Sequence, residues 1–130
     1  MKKQSLPRAL LIMFMISLSM SCFAAFIDSH HIVTESEVHF IIEGERINGV
    51  LTRPESSECP VPVIVLLHGF LGHMNDLLVY DSEESLYEMT ARLFAEKGLA
   101  SLRFDFRGSG TSNGEWKDTT FTKQISDAIT

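Results

Sequence analysis

Residues 61–70, VPVIVLLHGF, constrain this chain more than any other stretch, because an unbroken aliphatic run stops at a histidine and a glycine. Residues 63–67 are all aliphatic, with Ile64 between the β-branched Val63 and Val65. A run that short and that branched predicts a strand buried on both faces rather than a helix. Strands of this kind belong inside parallel sheets. His68-Gly69-Phe70 then places a permissive backbone at the carboxyl end of the strand, the edge where open α/β sheets bind ligands.

The rest of the chain arranges itself around that strand. Residues 38–42 and 47–53 are β-rich, are separated by Glu43-Gly44-Glu45-Arg46, and predict an antiparallel hairpin. Residues 25–37 lack periodicity and predict an irregular lead-in, and 54–62 is a polar connection. After Phe70, residues 71–81 carry Gly72, Asn75 and Asp76 and predict a long loop over the strand end, where loops shape sites. A helix follows over 84–97. Ser85 and Glu88 form its capping box, Leu86, Met89, Leu93 and Phe94 its core stripe, Glu88 and Arg92 an i,i+4 pair, and Gly98 its end. Residues 99–104, LASLRF, return as a second strand, so strand, helix and strand make a right-handed crossover with parallel pairing. Residues 105–114, DFRGSGTSNG, form a Gly-rich turn region. Beyond Thr120, the spacing of Phe121, Ile125, Ala128 and Ile129 predicts a second helix, inside which the sequence stops. The expected fold class is α/β, a hairpin followed by a parallel strand-helix-strand unit.

Composition bears on where the protein works. With 45% hydrophobic residues the chain can build one core. Lys2, Lys3 and Arg8 precede an apolar run over 9–16 that continues, diluted by serines, to Phe23, the layout of a secretory signal peptide. Cys22 and Ala24 satisfy the small-x-small rule for cleavage before Ala25, which gives a signal peptide of 1–24 and a domain of 25–130. Ser19 and Ser21 equally allow cleavage before Cys22. Lipoprotein processing would anchor a lipid at Cys22, although Ser19 stands where a large aliphatic is expected. An uncleaved anchor over 9–27 is disfavoured by its serines and small residues. The expectation is a secreted or periplasmic protein with no stable membrane association after cleavage, a lipoprotein being the alternative. Loss of three basic and no acidic residues with the leader moves the formal charge from −6 to −9. No Lys/Arg cluster survives, which argues against a nucleic-acid partner. Cys59 is then the only cysteine and belongs in a surface loop beside Pro60, so no intrachain disulfide framework is expected.

Several short motifs invite chemistry. Gly108-Ser109-Gly110 follows a strand, but a dinucleotide fingerprint needs glycine at Asn113 and a helix opening there. Residues 110–114, GTSNG, match G-x-S-x-G letter for letter, yet a nucleophile elbow needs a strand running straight in and a helix straight out. Residues 105–109 intervene on one side and Glu115-Trp116-Lys117-Asp118 opens no apolar stripe on the other, so Ser112 is expected to be a turn residue. His68 and His73 lack zinc-protease spacing, His30-His31 has no further ligand nearby, and no metal site is expected. His68-Gly69-Phe70 has a better use: at a strand end the following N–H groups can point into the cleft. Such donors stabilise an acyl-transfer oxyanion by about 3 to 4 kcal/mol each.

Taken together, the hairpin, a strand ending in H-G-F, a helix ending in E-K-G, the strand L-A-S-L-R-F and then D-F-R-G-S-G-T-S resemble the first half of an α/β-hydrolase. The closest likeness is to feruloyl or cinnamoyl esterases and serine aminopeptidase-like hydrolases, and it covers residues 38–129. The resemblance implies that Phe70 donates one oxyanion-hole N–H, with His68 and Gly69 shaping its turn. It makes Asp105, Arg107, Gly108, Gly110 and Ser112 the structural loop after the fourth strand, which independently demotes Ser112. In that family nucleophile, acid and histidine follow in the order Ser, Asp/Glu, His. They are therefore expected outside this chain, whose five histidines all precede G-x-S-x-G. The implied activity is hydrolysis of small-molecule carboxylic esters, or amides, through a serine acyl-enzyme without a cofactor. The alternative is a truncated or pseudo-enzyme chain that binds a small ligand or a partner without catalysis.

Overall fold

The computed structural model describes residues 31–55 and 60–130; the leader over 1–24, the lead-in over 25–30 and Cys59 lie outside the described residues. β1 (Val33–Ile42) and β2 (Glu45–Pro54) form the antiparallel hairpin. Its two turn residues, Glu43 and Gly44, have φ of 50° and 85°, the left-handed pair that matches strand twist in a tight hairpin. The hairpin is longer than its apolar pattern suggested. Residues 33–37 are strand, not irregular lead-in, because cross-strand backbone bonds from Val33↔Pro54 onward need no apolar alternation at an exposed edge.

β3 (Val63–Leu66), α1 (Leu86–Glu96) and β4 (Ala100–Phe104) form the crossover unit, and β3 pairs parallel with β4. β4 also pairs antiparallel with β2, giving the order β1-β2-β4-β3. The β2–β4 seam is close: a Cβ on Gly49 would lie 2.7 Å from the Arg103 carbonyl oxygen and 2.9 Å from Phe104 Cβ, so only glycine fits. On one face of this sheet Ile42, Ile47, Phe104 and Phe106 make the core, joined by Phe40, Leu102 and Ala128. Phe104 stands edge-on to Phe40 and Phe106 with ring centroids 5.4 and 5.2 Å apart. Burying side chains of this size stabilises the fold by about 1.5 to 3 kcal/mol each.

The strand around which the sequence is organised is not buried on both faces. β3 is an edge strand among the described residues, and Val63, Val65 and Leu67 are 55%, 47% and 43% exposed. Only β4 lies beside it, so the aliphatic run has one neighbour where its composition suits two.

α1 begins at Ser85, whose hydroxyl accepts the Glu88 N–H while the Glu88 carboxylate accepts the Ser85 N–H. The expected capping box is therefore present, worth about 1 kcal/mol. It also occupies Glu88, so Arg92 pairs with Glu84 and Glu96 instead, at 2.8 Å each. Gly98, at φ 81°, ends the helix as expected. Of the expected core stripe, Met89 and Phe94 are partly buried and the two leucines turn outward. Ala91 and Ala95 are the buried residues, and Leu86 and Leu93, on the opposite side at 3.6 residues per turn, are half exposed. Small side chains let the helix lie close to β2 and β4.

α2 (Phe121–Ile129) starts at Thr120, whose hydroxyl accepts the Lys123 N–H. Here too the inward side is not the apolar one: Gln124 and Asp127 are buried, and Phe121, Ile125 and Ile129 are exposed. Ala128 alone of the predicted spacing packs on the core.

Candidate active site

The two motif-bearing loops, one after β3 and one after β4, are joined at the carboxyl ends of these neighbouring parallel strands. Residues 69–72 form a tight turn in which the Gly72 N–H donates to the Gly69 carbonyl at 2.9 Å. Gly69 does not have a positive φ, and a Cβ there would meet nothing within 4 Å, so the turn does not itself require glycine. Among the described residues no acceptor takes the Phe70 N–H. The Phe70 ring packs against Trp116 and Phe121, with centroids 4.7 and 4.3 Å away.

His68 is buried, and both ring nitrogens are engaged. Nε2 accepts the Phe106 N–H at 3.1 Å, and Nδ1 lies 2.7 Å from the Gly69 carbonyl oxygen. The ring stands edge-on to Phe106 at 4.9 Å. Its ring is thus held by backbone groups of both loops.

Asp105, buried at the end of β4, returns the connection. One carboxylate oxygen accepts the Met74 N–H at 2.7 Å and the other accepts the Thr111 N–H at 2.7 Å and its hydroxyl at 3.0 Å. The His68 loop thus takes an N–H from the Asp105 loop, and the Asp105 loop takes one back. A buried carboxylate needs such donors to offset its lost hydration.

The other residues singled out in the loop after β4 are Arg107, Gly108, Gly110 and Ser112. Gly110, at φ 49°, lies so close over the Asp105 carboxylate that no Cβ fits, and Gly108, at φ 74°, abuts the Glu115–Trp116 backbone. Ser112 Oγ donates to the Asp105 carbonyl at 2.7 Å and accepts the Asn48 N–H at 2.9 Å. Turn and bend flank Ser112, and a single 3-10 turn (Trp116–Asp118) follows, so GTSNG has no elbow geometry. Arg107 pairs with the buried Asp127 of α2, 2.7 Å from Nη2, and with Glu43 of the hairpin turn. The hydrogen bonds it donates to the Asp127 and Glu43 carboxylates hold its pKa above the ordinary arginine value. This pair draws the polar side of α2 inward.

Sequence reasoning missed a buried cation. Arg103, almost fully buried on β4, donates to Glu35 of β1 at 3.0 Å, to Thr52 of β2 at 2.9 Å and to Asn75 of the 71–81 loop at 3.2 Å. It ties the far edge of the sheet to the loop beside Phe70. Burial pushes the Glu35 carboxyl up, but hydrogen bonds from Arg103 and Thr52 outweigh this and hold it below its ordinary 4.5. The signal was available: the one charged residue in the strand LASLRF must find partners.

Comparison with known proteins accords with this arrangement. The family model described as X-Pro dipeptidyl-peptidase (S15 family) matches residues 43–130. An Escherichia coli protein, described as an uncharacterized 31.7 kDa protein in the traX-finO intergenic region, is 43% identical over 54 residues, which are 42% of this chain and 16% of that protein. The structure of Est1E from Butyrivibrio proteoclasticus, with ferulic acid bound, superposes with a TM-score of 0.59 at 28% identity, over 71% of this chain and 34% of that one. Mouse alpha/beta hydrolase domain-containing protein 10 superposes with a TM-score of 0.54 at 20% identity, over 72% and 33%. The chain therefore spans about a third of the length of these two structures and less of the Escherichia coli relative.

Proposed function

The chain belongs to the X-Pro dipeptidyl-peptidase (S15) family, and from that premise we propose that it forms the oxyanion-binding part of an exported serine hydrolase. Its hairpin and parallel strand-helix-strand unit are the amino-terminal part of an α/β-hydrolase fold. The substrate is a small carboxylic ester, or an amide, cleaved through an acyl-enzyme. In this reading Phe70 supplies one N–H to the oxyanion, and the nucleophile, acid and histidine come from outside these residues. Export rests on the basic-then-apolar leader over 1–24.

The observation that carries the reading is the turn at the end of β3: its Phe70 N–H takes no acceptor among the described residues, and both flanking loops are fixed by buried His68 and Asp105. The ferulic acid in the Est1E structure supports the ester, and the family's description supports the amide.

Hydrolysis of p-nitrophenyl acetate and of a p-nitroanilide by the protein expressed to the end of its reading frame tests it, beside the 130-residue chain. The longer protein is expected to turn over and the 130-residue chain is not. Phe70→Pro, which deletes the N–H, is expected to lower kcat by about 100- to 1,000-fold, and Phe70→Leu far less. Turnover by the 130-residue chain that Ser112→Ala abolishes would overturn the assignment.

A further inference from the structure

His68 does more than fill space beside Phe106, because its ring binds the peptide unit that carries the Phe70 N–H. The Phe106 N–H can only donate, so Nε2, 3.1 Å away, must be unprotonated. In the neutral ring the proton then sits on Nδ1, which donates to the Gly69 carbonyl oxygen at 2.7 Å. That carbonyl belongs to the same planar unit as the Phe70 N–H. No peptide bond among the described residues is cis, so the Phe70 N–H points directly away from the Gly69 oxygen. Anchoring the oxygen therefore aims the hydrogen. The same oxygen accepts the Gly72 N–H at 2.9 Å, so two donors hold it, and a peptide whose carbonyl is hydrogen-bonded is the better donor at its N–H.

We propose that His68, as the Nδ1–H tautomer, is a positioning residue that orients and polarises the Gly69–Phe70 peptide, with Phe106 holding the ring in register. This rests on the acyl-transfer reading of the same turn and assigns His68 a role apart from proton transfer. Nothing among its contacts leaves a ring nitrogen for a substrate.

Two amide substitutions separate the halves of the contact. In His68→Asn the side-chain amide ends near the position of Nδ1 and can still donate to the Gly69 oxygen, but it cannot reach Phe106. In His68→Gln it extends toward the Nε2 position, where it can accept from Phe106 and cannot donate to Gly69. If His68 positions the peptide, Gln lowers kcat by about 10- to 100-fold with little change in KM, and Asn recovers most of the loss. If the residue only packs against Phe106, Gln is the milder change, and that result would overturn the proposal.

A second readout needs no turnover. Histidine ring nitrogen NMR on the 15N-labelled protein is expected to show a protonated Nδ1 and an unprotonated Nε2 for His68. The Gly69 carbonyl carbon shift is expected to move in the Gln variant and to return in the Asn variant. The opposite tautomer, or an unmoved carbonyl, sinks the proposal whatever the kinetics. Absence of ester and amide hydrolysis by the protein expressed to the end of its reading frame, with the expected tautomer and shift, would refute the functional reading and leave the positioning intact.

Discussion

The two edges of this one sheet are made of different chemistry. β1 turns Ser36, Glu37 and His39 to solvent and leaves Glu35 half exposed, and charged side chains are a common means by which a sheet keeps its edge from pairing. β3 exposes Val63 and Val65, and the chain just beyond it Leu67, by about half each, with no charge between residues 61 and 67. Both have one strand neighbour among the described residues, yet only β1 has an edge's composition. The helices repeat the contrast, since the apolar sides of α1 and α2, Leu86 with Leu93 and Phe121 with Ile125 and Ile129, point away from the sheet. An apolar pattern records every surface a strand or helix is built to bury, whereas the described residues cover only some of them.

Between the edges lies the seam of β2 and β4, where substitution should cost most. Gly49→Ala is expected to destabilise the fold by about 1 to 3 kcal/mol, because the new methyl meets the Arg103 backbone and Phe104 Cβ. A urea midpoint unchanged by this variant would mean that the seam is looser than the distances indicate. At the β1 edge the effect is smaller and depends on pH. Glu35 has a depressed carboxyl, so its contribution is complete above the ordinary value of 4.5 and is lost as pH falls through the lower folded value. Glu35 is half exposed, so that contribution is about 1 kcal/mol. Urea melts down through this window are expected to show wild type losing stability faster than Glu35→Gln; parallel curves would show that Arg103 does not depend on the charge. Ser36→Lys is the smallest change, within about 0.5 kcal/mol and without effect on association, since it adds a charge to an edge already protected.

Most of the fold could be read from residues whose job is local. The Ser85–Glu88 capping box, Gly98 at positive φ and the D-F-R-G-S-G-T-S turn are set by backbone needs that neighbours in sequence reveal. The inward side of each helix could not be read that way. On α1 the sheet takes small alanines and leaves the leucines out, and on α2 Arg107 draws Asp127 inward against the apolar spacing. The site was legible in part for the same reason. His68, Gly69 and Phe70 stand out at a strand end, whereas Asp105 holding the Met74 N–H spans 31 residues and Arg103 holding Glu35 spans 68. Only the fold brings those pairs together.

That β3 is built as an interior strand is the claim on which the rest depends, because a second strand beside it would border the turn that carries Phe70. Light scattering coupled to chromatography on residues 25–130 tests it directly, beside the same chain carrying Val65→Lys. Self-association that the single lysine suppresses is the expected result, since unpaired backbone beside apolar side chains recruits another strand. A monodisperse monomer with one cooperative urea transition, from the unsubstituted chain alone, would contradict it.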